Sequence, residues 1–176
     1  HGLAASNGAI TITGGKVTSE GSNAPSIICS KDLTITDCEL TAKGIGDALS
    51  GYNITITGGK VTAECSSGPS INANGNVTVT NCELMTTGAP QGICASHDVT
   101  ITGGTVTSKN VEYDAPAINS TNGDITVTDC KLKATGLYGL EAESGTITID
   151  VSQVTAVGTA ISTYSTPYGI SAQNIS

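Results

Sequence analysis

The chain has 176 residues, a net charge of −8 and only 12% charged residues, with no Phe, no Trp and no Arg. That balance disfavours nucleic acid and anionic membrane surfaces, which recruit basic patches, and no run of about 18 apolar residues is present to span a bilayer. A 38% hydrophobic content without large aromatics suits a narrow, regular interior of Ile, Val, Leu, Ala and Cys.

The first predicted element is Ile10–Thr13, followed by Gly14-Gly15 and a second alternating segment, Lys16–Ser19. A third, Ser26–Cys29, precedes the next copy. The opening phrase returns from Leu33, Ile54, Val77, Val99, Ile125 and Ile147. Each segment is too short for a helix and alternates apolar with polar residues, the periodicity of a half-buried strand. Copies begin 21 to 28 residues apart, most of them near 22. A repeat of that period, with three short strands and three turns, is a solenoid rung. The expectation is an all-β, right-handed, single-stranded parallel β-helix of about seven rungs, the hand following the usual sense of parallel crossovers. One domain covers residues 1–176. Gly2-Leu3-Ala4-Ala5-Ser6 resembles Gly139-Leu140-Glu141-Ala142-Glu143, and Asn174-Ile175-Ser176 starts another copy, so the chain reads as a stretch of a longer protein.

Inward and outward faces follow from the two-residue period. Ile10, Ile12 and Val17 point in, and Thr11, Thr13 and Thr18 point out; Ile27, Leu49, Ile71, Ile93, Ile118, Leu140 and Ile170 line a third wall. After the first strand, Gly14-Gly15, Gly58-Gly59 and Gly103-Gly104 alternate with Asp37-Cys38, Asn81-Cys82 and Asp129-Cys130. Gly, Asn and Asp all tolerate left-handed backbone, so these are corners. Lys16, Glu39, Lys60 and Glu83 then stack with alternating sign as a register device. Cys38, Cys82 and Cys130 recur in alternate rungs, roughly 10 Å apart at the ordinary strand spacing and beyond bridging reach. They read as small buried apolar residues, whereas Cys29, Cys65 and Cys94 leave one bridge open.

The connection between the second and third strands departs from the repeat. It holds all five prolines, two insertions near 110–114 and 157–168, and Tyr113, Tyr138, Tyr164 and Tyr168. Variable loops on one edge of a rigid scaffold are where function concentrates. The four tyrosines come from three consecutive rungs and are flanked by Glu112 and Asp114. A sugar ring lays its C–H face on an aromatic ring while its hydroxyls take carboxylate partners, so this edge is a candidate glycan-binding site. The alternative is that the rings simply cover loop backbone.

Two more arrays carry candidate sites. Outward Thr fills thirteen of fourteen places on the first wall, including Thr34, Thr36, Thr55, Thr57, Thr78, Thr80, Thr100 and Thr102, with Asp150 breaking the last pair. This Thr-x-Thr grid resembles the ice-binding faces of insect β-helical antifreeze proteins, and it equally fits plain strand composition. Asp32, Asn53, Asn76, Asp98 and Asp124 recur before the first strand, and Asp37, Asn81, Asp129 and Asp150 at the corner after it. Asp98 with Asp124, or Asp129 with Asp150, could offer oxygens to Ca²⁺; the alternative is turn chemistry and side-chain ladders. Asp129 and Asp150 could also approach the separation of an inverting glycosidase pair, about 6.5–9.5 Å, but stacked corners give such distances by accident. His97 is the sole internal histidine and has no evident nucleophile partner, so a non-catalytic chain is expected, with no cofactor beyond a candidate Ca²⁺.

The phrases Asp32-Leu33-Thr34-Ile35-Thr36, Asn53-Ile54-Thr55-Ile56-Thr57-Gly58-Gly59-Lys60-Val61-Thr62 and Asp98-Val99-Thr100-Ile101-Thr102-Gly103-Gly104-Thr105-Val106-Thr107 resemble the tandem rungs of clostridial and other Firmicutes cell-surface β-helix proteins described as carbohydrate-binding-domain proteins. The resemblance implies a right-handed parallel β-helix at the cell surface that binds plant polysaccharide such as pectic acid or cellulose, with Ca²⁺ in some members. Those rungs often carry Asp-Asp-Gly after the second strand, where this chain has Ser22-Asn23-Ala24-Pro25 or Ser67-Gly68-Pro69. The expected partner is a polysaccharide or other glycan, with end-to-end self-association of a structural stalk as a further reading.

Overall fold

The computed structural model describes residues 1–111, 115–159 and 168–175. It is a parallel β-helix with three walls. The first wall stacks Ile10–Thr13, Leu33–Thr36, Ile54–Thr57, Val77–Thr80, Val99–Thr102 and Ile125–Thr128, and ends in the C-terminal part of Tyr138–Asp150. The second stacks Lys16–Gly21, Glu39–Gly44, Lys60–Cys65, Glu83–Gly88, Thr105–Asn110, Lys131–Gly136 and Gln153–Gly158. The third runs from Leu3–Ala5 through Ile27–Cys29, Leu49–Gly51, Ile71–Ala73, Ile93–Ala95 and Ile118–Ser120 to the N-terminal part of Tyr138–Asp150 and Tyr168–Ile175. The first and third walls form one 14-stranded sheet because Tyr138–Asp150 runs unbroken round the corner between them; the second wall is a separate 7-stranded sheet.

Register is set rung by rung. Ile54 pairs with Val77 and Val77 with Val99 on the first wall, and Ile71 pairs with Leu49 and Ile93 on the third. Inward rows therefore superpose, and Ile35, Ile56, Val79 and Ile101 are fully buried beside Leu49, Ile71 and Ile93. Removing such a side chain from water is worth about 1.5–3 kcal/mol. A bore lined from three sides by aliphatic rows leaves little room for aromatic rings, in keeping with the absence of Phe and Trp.

The alternating corners have a physical cause. Gly58 and Gly59 both take left-handed backbone, φ 64° and 66°, whereas Asp37 below them takes it once, φ 48°, before Cys38 turns its side chain into the core. A Cβ on Gly58 would run into the carboxylate of Asp37, and one on Gly59 into the backbone of Cys38. Gly103 and Gly104 meet Asn81 and Cys82 in the same way. The Asp37 and Asn81 side chains thus lie over the corner of the next rung, where glycine leaves room for them. All six cysteines are unbridged; burial pushes the Cys82 thiol up to about 11 and raises those of Cys38 and Cys130.

Candidate glycan-binding edge

Of the four tyrosines expected on the variable edge, Tyr138 and Tyr168 are described. Tyr113, Tyr164, Glu112 and Asp114 lie outside the described residues. Tyr138 and Tyr168 occupy paired positions on neighbouring strands, and their rings stack with centroids 5.9 Å apart and planes 19° from parallel. Tyr138 is half-buried and Tyr168 is exposed. Two features bring Tyr168 there. Its N–H donates to the carbonyl of Leu137 at 3.1 Å, and the second wall ends at Gly158, where any Cβ would strike the backbone of Tyr168. The rung arithmetic thus brings together two of the predicted rings as an aromatic ledge. Tyr52, also exposed, sits at a different corner, next to Asn53.

The acidic positions form a ladder. Asn53 donates its amide to Oδ1 of Asp32 at 3.0 Å. Above it, Oδ1 of Asn53 accepts the N–H of Asn76, Oδ1 of Asn76 accepts that of Asp98, Oδ1 of Asp98 accepts that of Asp124, and Oδ1 of Asp124 accepts that of Thr146, all between 2.8 and 3.0 Å. One carboxylate oxygen of Asp98 and one of Asp124 therefore already serve backbone capping. Among the described residues no three His, Cys, Asp or Glu side chains gather where one ion could hold them.

Asp150 requires a correction. The repeat offers it two places; it keeps the one in the outward Thr row, where it pairs with Thr128 one position before the corner, and not the one with Asp37, Asn81 and Asp129. The corner falls on Val151, which takes φ 47° and is 76% exposed. Asp129 and Asp150 are linked through the backbone, the N–H of Asp129 donating to the carbonyl of Asp150 at 3.2 Å. They are not equivalent stacked corners, and the pairing that suggested a shared cation or a two-carboxylate mechanism is out of register.

The Thr positions superpose as expected. Thr34, Thr55, Thr78, Thr100 and Thr126 pair in one row, and Thr36, Thr57, Thr80, Thr102 and Thr128 in the next. The charge ladder is also present: Lys16 bridges Glu39 at 2.7 Å and Lys60 bridges Glu83 at 2.6 Å. A second ladder that the sequence reading missed joins Lys43 to Glu64 at 3.0 Å. Its signal, Glu20, Lys43 and Glu64 at one place in successive rungs, was legible in the repeat.

On the outer flank of the third wall, Asp47 accepts a hydrogen bond from the Asn72 amide at 2.9 Å, and Glu143 accepts one from Asn119 at 2.9 Å. Burial raises the carboxyl of Asp47 despite that amide, and burial together with the nearby Glu143 charge raises that of Glu141.

Residues 2–174 match the model of a family described as the right handed beta helix region, and the chain belongs to that family. The family includes many enzymes of the pectate-lyase kind, so membership fixes the architecture and leaves the chemistry open. No curated protein and no solved structure matches the chain.

Proposed function

We propose that this β-helix is a non-catalytic carbohydrate-binding or adhesion module, acting outside the cell or at its surface, that holds a polysaccharide against the edge where Tyr138 and Tyr168 project. The observation that carries the reading is the ring pair itself. Two stacked aromatic rings at the place where the repeat stops being faithful offer an amphipathic platform on a rigid scaffold. The out-of-register Asp129 and Asp150 favour binding over two-carboxylate hydrolysis.

The test is retention on an array of plant and host polysaccharides. Tyr168→Ala, at the exposed ring, and Tyr138→Ala should each weaken retention by about tenfold, the scale of one aromatic contact. If the wild-type chain is not retained, or if both variants are retained fully, the edge is not the site.

A second reading is ice binding by the first wall. It is favoured by one observation, the two in-register rows of outward Thr. Neither reading calls on calcium at Asp98 and Asp124, where one oxygen of each carboxylate accepts a backbone N–H of the next rung.

A further inference from the structure

The outward row of the third wall runs in register through Ser50, Asn72, Cys94, Asn119, Glu141 and Ser171. An outward side chain on a solenoid wall is ordinarily wet, yet Asn119 is 4% exposed and the other members of the row are half-buried. The row is recessed, and its chemistry is one-sided. The Asn72 amide donates to Oδ2 of Asp47 and the Asn119 amide to Oε1 of Glu143, both at 2.9 Å. Oδ1 of Asn119 belongs to the same planar amide as the nitrogen that serves Glu143. It is buried and accepts no hydrogen bond. Leaving a buried acceptor without a donor is costly, so this oxygen marks a place for one. Glu143 is itself exposed and reaches back over Asn119. Cys94 stands one rung from each amide, between the two carboxylates. Burial is the main cause that raises its thiol; the Asn119 amide lowers it, and the charges of Glu143 and Asp47 raise it further.

No lysine answers these carboxylates. Asp47, Glu141 and Glu143 make no ion pair with a described residue. Every lysine but Lys31 lies on a strand of the second wall. Lys31 is at the far corner of the third, where its carbonyl accepts the N–H of Tyr52. The residues outside the described set include no Lys and no Arg. The acceptors are also too dispersed for one metal ion, since among the described residues no three His, Cys, Asp or Glu side chains gather around a common point. Asp47 and Glu143 instead engage amides two rungs apart, roughly 10 Å at the ordinary strand spacing. Two acceptor stations at that separation suit an aliphatic chain with an ammonium at each. An alkylammonium carries three donors and no acceptor, the complement of a lining of carboxylate and amide oxygens, and its methylenes would lie along Cys94, the least polar member of the row.

We propose that the recessed row of the third wall binds a linear aliphatic polyamine, one ammonium held by Glu141, Glu143 and Oδ1 of Asn119 and another by Asp47. The row runs beside the tyrosine edge, and this site does not depend on the carbohydrate reading.

The experiment is calorimetric titration of the whole chain with spermidine at low salt, with propylamine, Mg²⁺ and a tetralysine peptide as comparison probes. Spermidine should bind saturably at one site and at least roughly tenfold more tightly than propylamine, which reaches a single station. E141Q/E143Q should weaken spermidine by roughly tenfold or more, because charge-assisted hydrogen bonds are the stronger kind. D47N, at the other end of the row, should weaken spermidine and leave propylamine unchanged, and N119L should weaken both. E39Q/E83Q removes the same charge from the second-wall ladder and should bind spermidine as wild type does. The proposal is overturned if wild type shows no saturable binding at millimolar spermidine, if E141Q/E143Q binds as wild type does, or if E39Q/E83Q loses as much, which would reduce the effect to general attraction by a chain of net charge −8. Equal affinity for spermidine and propylamine, or full displacement of spermidine by an equal concentration of Mg²⁺, also overturns it. Tighter binding of tetralysine than of spermidine overturns it in favour of a basic protein partner.

Discussion

At the scale of single residues, the corner after the first wall is where side-chain identity matters most. Asp37, Asn81 and Asp129 take left-handed backbone with residues that tolerate it, but Val151 takes it with a β-branched side chain. That conformation costs an ordinary L-residue roughly 1–2 kcal/mol. The hydrogen bonds respond: the N–H of Asp37 and that of Asn81 reach the rung above at 2.8 Å, and that of Asp129 at 3.2 Å, beneath the Val151 corner. Val151→Gly should therefore raise the melting temperature by about 2–4 °C, the net of strain released against the entropy glycine adds to the unfolded chain. A melting temperature unchanged or lowered would show that no strain is held there. This corner also explains why the sequence offers Asp150 a corner position beside its place in the Thr row. Asp is a far better left-handed residue than Val, so local propensity chose Asp150, while the register of Ile147 and Ile149 with Ile125 and Val127 forced the turn one residue later.

At the scale of the strand and its flanking turns, most of the architecture was legible. Alternation gave the strands, the period gave the rungs, and the recurring Asx gave a ladder whose hydrogen bonds are now explicit. What alternation could not give was partnership across the third wall's outer flank, because Asp47 and Asn72 come from different parts of the rung and meet only through stacking. That contact has a pH signature. Burial holds the folded carboxyl of Asp47 above its ordinary 3.8. Below the unfolded value both states are protonated and the group contributes nothing; above it the unfolded chain ionises first. The folded state then binds the extra proton, so stability falls as pH rises from the ordinary carboxylate range through the raised value. Asp47→Asn should flatten that part of the stability profile, measured by thermal melts from about pH 3 to pH 7. An unaltered slope would assign it elsewhere, Glu141 being the next group with a raised carboxyl.

At the scale of the whole molecule, three walls of one solenoid carry three different surfaces. The first is a Thr grid, the second a ladder of paired charges that gives way to Lys109, Lys131 and Lys133, which make no ion pair with a described residue, and the third a flank of amides and carboxylates. The Thr grid spans neighbouring rungs, so its test belongs here. If it binds ice, the wild-type chain should show thermal hysteresis at about millimolar concentration, and Thr78→Tyr, set in the middle of a row, should remove it without lowering the melting temperature; absence of hysteresis in the wild type ends that reading. The four tyrosines show why function was less legible than fold. Rung counting brings Tyr138 against Tyr168, but an insertion breaks the count by definition, and Tyr113 and Tyr164 sit in the insertions. The interlocking corners carry one further consequence. Because the Asp37 carboxylate occupies the space that a Cβ at Gly58 would need, excising a single Gly-Gly rung would set Asn81 directly on Asp37, side chain against side chain. Removing or duplicating two neighbouring rungs, such as those opening at Leu33 and Ile54, keeps a Gly-Gly corner against each Asx corner. The molecule has a parity: it can grow or shrink by even numbers of turns, and its heritable unit is the couple and not the rung.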